Sequence, residues 1–552
     1  MKKYILTCFL ASLCLIGSAK TTQIATPTPG DDLADKPGFY GQEGESSPVP
    51  LGESVALIYG ELINPDSLSP LQIEVRPYYL DRKSTFMVEV LEPELRVGET
   101  FDGVMNPIVR KFSSSLSLED RPGYFSVILG GRPLLEDFIV FPGDSLKVEL
   151  DLRYLDVLFG GVDAAFYEAQ YAIQREARRL VFDAPRQLVA RADSRLLSKP
   201  GNLEKLSYFQ GEFGSHLLVM NPGKESLDYL LQGLLPDNPQ VKAQMDILKT
   251  YRDALDAFEY QLLEAQIYGS TYYSVLTNVR KFHYPEFASR FTKAEQERYK
   301  RTILDSFRNF PEENMSDEVE LVSKDYLNYS LERSMLTALF EKRSLLGVVD
   351  SLYSNEMAEK LKTAYLSNYL SQLPDQPYVL EKYLEVVHSY PWRERIESLK
   401  RSHVPGGMVE PVVLVDLSGN KLTEQNLIGK PTLLYFYFSS CSYSASYFKN
   451  YLYPLYEEVR DQGVQLIAVS VDEDPEFWKS RIAKYSDPSL LNVNLRGQSK
   501  THWKEIYEIH GYPKIMFLDR DAHILSFDIR NLGTDQESLI SEFTTLYKSE
   551  LE

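Results

Sequence analysis

The feature that most constrains this chain is its hydrophobic period, which changes twice along its length. Leu71, Ile73 and Val75 alternate with Gln72, Glu74 and Arg76, and Leu146, Val148, Leu150 and Leu152 alternate with Lys147, Glu149 and Asp151. A period of two gathers apolar side chains on one face of a strand. Turn signals at Asn64-Pro65-Asp66, Gly130-Gly131 and Pro142-Gly143-Asp144 separate such runs, so residues 53–155 read as a small β-sheet domain with one buried face. From there to residue 403 the period becomes helical, as in Leu255, Phe258, Leu262 and Ala265, or Leu361, Tyr365, Tyr369 and Leu373 before Pro374. Residues 156–403 therefore read as an α-helical region.

His403-Val404-Pro405-Gly406-Gly407 opens a third pattern, over residues 404–552, in which strands and helices alternate. Strands are expected at Val412 to Asp416, Thr432 to Phe438, Val464 to Val471, Ile515 to Asp519 and Ile524 to Asp528. Helices are expected at Tyr443 to Asp461, Pro475 to Lys484, Lys500 to Ile509 and Asp535 to Tyr547. That order predicts an α/β domain, a mixed sheet with helices on both faces.

The N-terminus carries a different message. Met1-Lys2-Lys3, the apolar run Tyr4 to Ile16 and Gly17-Ser18-Ala19 have the basic, hydrophobic and small-residue parts of a secretory signal, so residues 1–19 read as a signal peptide. Residues 20–52, with Pro27, Pro29, Pro37, Pro48 and Pro50, read as a linker. Removing the signal takes Cys8 and Cys14 with it. Lipid anchoring at Cys14 is disfavoured, because Leu13 stands where a small residue is usual. No later stretch reaches the ~18 consecutive apolar residues that span a bilayer. The expectation is an exported protein of the periplasm or cell envelope of a Gram-negative bacterium, with one thiol, Cys441.

Charge and composition exclude some functions. The 59 basic residues against 79 acidic give a net charge of −20, which repels a phosphate backbone, so nucleic acid is not an expected partner. Dense tyrosines such as Tyr268, Tyr272 and Tyr273 fall at helical spacing and read as helix packing rather than a stacking surface. His216, His283 and His388 lack the paired spacing of a metal site, and neither a metal nor a cofactor is expected.

Cys441 stands out by position. It follows the buried strand Leu433-Leu434-Tyr435-Phe436-Tyr437-Phe438 and precedes a helix, whose unpaired N–H groups and positive dipole end favour a thiolate. Ser439, Ser440, Ser442 and Ser444 surround it with polar residues, which favours an exposed sulfur over an inert buried one.

These pieces together resemble a thioredoxin-like domain of the TlpA/ResA type, the exported thiol–disulfide oxidoreductases (redoxins) of bacterial envelopes. The resemblance covers Met408 to Glu552. It rests on Val412 to Asp416, Gly429-Lys430-Pro431 with the strand after it, Ile467-Ala468-Val469-Ser470-Val471-Asp472, and Gly511-Tyr512-Pro513-Lys514 ahead of Ile515-Met516-Phe517-Leu518-Asp519. It implies that Pro513 is cis and faces the sulfur, that Cys441 is the nucleophile with Ser444 beside it, and that Ser440, Tyr443, Tyr512 and Pro513 contact client chain. Phe138-Ile139-Val140-Phe141-Pro142-Gly143-Asp144-Ser145-Leu146 resembles the end of the sheet domain that precedes such a domain in envelope proteins.

The departures matter as much. Where the family has Trp-Cys-x-x-Cys, this chain reads Ser440-Cys441-Ser442-Tyr443-Ser444, so the second thiol is a hydroxyl. The second thiol normally resolves the mixed disulfide, and Ser444 cannot, although its hydroxyl is able to donate to the sulfur. Tyr435 stands where thioredoxins often bury an acid, and His510 reads as an exposed loop residue. Phe438 occupies the position that a peroxidase would fill with Thr or Ser. Two functions follow. One is a monothiol exchange protein whose partners are protein thiols and disulfides in the envelope. The other is a redox-inactive binding or scaffold protein on the same fold.

Overall fold

The structure is a computed structural model that describes residues 54–63, 70–81, 84, 86–99, 105–189, 199–214, 217–312, 315–507, 509 and 511–549. The expected signal peptide 1–19 with Cys14, the expected linker 20–52, His216 and His510 lie outside the described residues.

The N-terminal part is β1 (Val55–Ile63), β2 (Leu71–Arg76), β3 (Glu89–Leu91), β4 (Arg96–Glu99), β5 (Met105–Ser117), β6 (Gly123–Leu129), β7 (Arg132–Val140), β8 (Ser145–Asp151) and β9 (Asp156–Gly160). These form two sheets, in the orders β4-β5-β1-β8-β9 and β3-β2-β6-β7. The alternating burial of β1, β2 and β8 matches the period of two, whereas β6 is covered on both sides along nearly its whole length. β1 lies at the centre of its sheet, antiparallel to β5 and parallel to β8. Gly60 makes that approach possible: a Cβ there would lie 1.7 Å from the carbonyl oxygen of Val148 on β8.

Pro142-Gly143-Asp144 is the tight turn before β8, and it is anchored to a helix. The Asp144 carboxylate accepts from the Phe141 N–H (2.9 Å) and from the hydroxyl of Tyr167 on the helix Ala164–Asp183. Burial pushes the Asp144 carboxyl up to about 6.

Helices dominate from Ala164 to His403. Ala257–Asn278 begins with a capping box: Asp256 accepts from the Glu259 N–H (2.8 Å), and Glu259 accepts from the Asp256 N–H (2.9 Å). It packs closely on Lys324–Glu341, because a Cβ on Gly269 would come within 2.4 Å of the Asp325 main chain. The helix Asn355–Tyr369 carries Leu361 and Tyr365 and gives way to a tighter turn, Leu370–Gln372, ahead of Pro374. Tyrosines here are packing residues, as expected: Tyr272 and Tyr326 surround the stacked pair Phe310–Tyr329, whose centroids are 4.1 Å apart. A parallel pair, β10 (Arg186–Val189) and β11 (Leu217–Met220), interrupts the helices. Four residues each are too short to set up a readable alternation.

Sheets and helices share one continuous hydrophobic cluster, from Ala56 to Leu399. Polar links cross within it: Tyr124 donates to the Val322 carbonyl (2.9 Å), Lys324 pairs with Asp137 (2.6 Å) and Arg121 with Glu356 (2.7 Å).

The C-terminal part is β12 (Val413–Asp416), β13 (Lys421–Thr423), β14 (Thr432–Tyr437), β15 (Gln465–Ser470), β16 (Leu491–Leu495), β17 (Lys514–Leu518) and β18 (Ile524–Ser526), in the order β13-β12-β16-β15-β14-β17-β18. β14, β15 and β16 are parallel, and β17 runs antiparallel to β14. Every residue of β14 is buried, because the sheet is covered twice. Leu433, Tyr435 and Tyr437 pack with Trp478 and Phe543 on one face, and Leu434 and Phe436 with Trp503 on the other. The expected helix Tyr443 to Asp461 is Ser442–Tyr447, a wider π turn Phe448–Leu452, and Tyr453–Val459. Pro454 explains the widening, since it lacks an N–H and its ring crowds the preceding turn. The segment after His403 is not free either: Gly406 and Val409 donate to the Ile524 and Ala522 carbonyls (2.8 and 3.0 Å), and Ile524 donates to Gly407 (2.8 Å).

Candidate functional site

Cys441 sits where β14 hands over to the helix Ser442–Tyr447, and it is the helix N-cap. The approach is pinned from β15. The buried Ser439 donates its N–H to both carboxylate oxygens of Asp472 (3.0 and 3.1 Å) and its hydroxyl to one of them (2.5 Å). Ser470 donates to the same oxygen (2.7 Å), and the Cys441 N–H closes the turn on the Phe438 carbonyl (3.1 Å). These bonds fix where the sulfur emerges from a rigid sheet.

The sulfur has two polar neighbours. The Ser444 N–H donates to Sγ (3.4 Å), and Sγ–H donates to the Tyr512 carbonyl (3.7 Å). Tyr512 belongs to a cis Tyr512–Pro513 pair, and its ring meets Phe438 edge-on at 5.5 Å. Burial, with Asp472 second, pushes the Tyr512 hydroxyl up to about 12. Cys441 is partly exposed, which leaves a face for a second sulfur.

Ser444 differs from expectation. Its side chain is fully buried and its hydroxyl has no hydrogen-bond partner among the described residues; the main-chain N–H, not the hydroxyl, reaches the sulfur. Tyr435 is the supporting group beneath. Its hydroxyl donates to the Ser444 and Tyr485 carbonyls (3.0 and 3.1 Å), and its ring stacks on Tyr437 and Phe448 at 5.1 and 5.3 Å. Burial, then Tyr437 and Cys441, raises that hydroxyl above the ordinary tyrosine range, so it stays a donor.

The structure thus brings Cys441, Ser444 and Tyr512 together. Ser440 is exposed before the sulfur, Tyr443 is 58% exposed after it, and Pro513 is buried. Sequence reasoning did not single out Ser439 and Asp472 as a clamp. The available signal was an acid just past a parallel strand, the edge where α/β sheets build their sites. It also missed Arg530, which pairs with Asp528 (2.5 Å). Asp519, Asp521 and His523 lie close enough to share an ion, but Asp519 already accepts from the N–H groups of Asp521 and His523 (both 2.8 Å), as a turn does.

Residues 429–524 match a family model described as thioredoxin-like. The chain therefore carries a C-terminal thioredoxin-like domain, behind a β-rich N-terminal region and a helical middle. Among solved structures, it is similar to the thioredoxin domain of a thiol-disulfide oxidoreductase from Bacteroides vulgatus, with 25% identity over 26% of this chain and 98% of that one, at a TM-score of 0.23. A thiol:disulfide interchange protein from a Bacteroides species is 26% identical, over 26% of this chain and 90% of that one, at a TM-score of 0.23. Copper-bound yeast Sco1 is 20% identical over 26% of this chain and 94% of that one, also at 0.23. No curated protein matches the chain. No described helix is long and apolar enough to cross a membrane.

Proposed function

We propose that this is an exported thiol–disulfide exchange protein of the TlpA/ResA type, working in the cell envelope with one thiol. The observation that carries the reading is the seat of Cys441 Sγ, at a helix start in a thioredoxin-like domain, between the Ser444 N–H and the Tyr512 carbonyl. The Cys441 thiolate attacks one sulfur of a client disulfide, the client S–S bond breaks, and the other client sulfur leaves as a thiolate. The product is a mixed disulfide at Cys441. Ser444 offers no second sulfur, so the adduct persists until an outside thiolate attacks it.

Non-reducing electrophoresis of envelope extracts tests this, comparing wild type with Cys441→Ala. High-mass bands present in the first and absent in the second are the expected result; identical patterns reject the exchange reading. The identity of Ser444 itself favours a second reading, a binding protein that keeps the fold without turnover. It predicts partner capture that survives Cys441→Ala.

A further inference from the structure

β9 ends the five-stranded sheet at an open edge. It pairs with β8 on one side, and no other main chain pairs with it among the described residues. The other edges of the two N-terminal sheets are guarded, as exposed edges usually are. β3 is three residues long, and β4 breaks its register between Val97 and Gly98. β7 is capped by side chains of the helix Ala164–Asp183: Gln170 accepts from the Ile139 N–H (2.7 Å) and donates to the Ile139 carbonyl (3.1 Å), and Gln174 donates to the Glu136 carbonyl (3.1 Å). We propose that β9 is the contact between two copies of this chain, paired antiparallel about a two-fold axis at Leu158. None of this involves Cys441.

Burial is the first argument. Tyr154, Leu155, Leu158 and Val162 lie on and beside this strand, each more than half exposed. The pairing matches them with one another: Leu158 meets Leu158 of the second copy, and beyond the strand ends the same axis brings Tyr154 and Leu155 towards Val162 of the second copy. Phe159 points the other way and packs on Tyr167 and Tyr171, so the pairing leaves the core intact.

Charge selects a second copy over an unrelated strand. With Leu158 at the axis, Asp156 faces Gly160 of the other copy, and directly behind Gly160 on β8 stands Lys147. Gly160 has no side chain, and the Lys147 stem already lies over it: a Cβ there would be 3.6 and 3.7 Å from Lys147 Cβ and Cδ. Lys147 and Asp156 are both exposed. Within one copy Asp156 faces Asp151 on β8, a like-charge pair that Arg153 relieves only on the Asp151 side (2.6 Å). Across the axis Asp156 gains Lys147 of the second copy, two strand spacings or about 10 Å away between main chains. The two-fold makes that pair twice. A register centred on Asp156 would instead set that carboxylate against itself.

Sedimentation velocity of the full chain over a concentration series tests the contact, with circular dichroism to confirm that each variant folds. Wild type should pass from monomer to dimer as concentration rises. Leu158→Glu, which sets like charges at the axis beside Glu149, should stay monomeric. Lys147→Asp and Asp156→Lys should each weaken the dimer about tenfold, because the axis doubles every contact, and the two together should restore wild-type affinity. A wild type that is monomeric throughout, or a dimer that Leu158→Glu leaves untouched, overturns the proposal. So does a double variant that associates no more tightly than the singles.

Discussion

Ser444 carries the largest functional consequence of a single side chain. It is fully buried, three residues after Cys441, with a hydroxyl that has no partner among the described residues. Ser444→Cys replaces that orphan with a less polar sulfur, so stability should change by no more than ~1 kcal/mol. It restores the dithiol spacing, and reduction of insulin should rise about tenfold over wild type. Unchanged turnover would mean that something besides the missing thiol holds the protein back. Asp144 makes a prediction about pH. Its folded-state carboxyl is raised to about 6 by burial, against an ordinary value of 3.8. The folded protein therefore holds a proton that the unfolded chain has released. Its contribution is complete below pH ~4 and lost as pH rises through ~6. Thermal melts should show wild type losing stability relative to Asp144→Asn across that window, and parallel pH profiles would refute the assignment.

At the level of elements, legibility followed the length and purity of the pattern. β14, β15, β17 and the helices Pro475–Tyr485 and Gln536–Ser549 lie within a few residues of where periodicity put them. β16, Leu491-Asn492-Val493-Asn494-Leu495, was not among the expected strands; its alternation is short and its polar positions are asparagine, a residue depleted in strands. Both asparagines are buried all the same: Asn492 donates to the Asp487 and Leu490 carbonyls, and Asn494 to those of Ser470 and Asp472. Only tertiary partners can make such a strand, and one sequence does not display them. The sulfur's place at a strand-to-helix junction was legible for the opposite reason, being local. Its contact with Tyr512, 71 residues on, entered only through family resemblance. Strand pairing also sets a prediction. Gly60→Ala forces a methyl into the Val148 carbonyl and should cost about 3 kcal/mol, read as a lower denaturant midpoint. An unchanged midpoint would show that β1 and β8 separate without penalty.

Across the whole molecule, the hydrophobic clusters divide the chain in two. One gathers residues from Ala56 to Leu399; the two flanking the C-terminal sheet draw only on residues from Val409 onward. A fragment of residues 404–552 should therefore fold alone and melt at the temperature of one of two transitions in the full chain. A fragment without a cooperative melt would show that the clusters are not independent. The larger cluster has a further consequence, in time. β1 is the central strand of its sheet, yet its parallel partner β8 begins 82 residues after β1 ends, at Ser145 against Ile63. At ribosomal speed that is a wait of roughly 4 to 16 seconds, during which an apolar-faced strand has no neighbour on that side. Until then the nascent chain offers the kind of surface that chaperones bind.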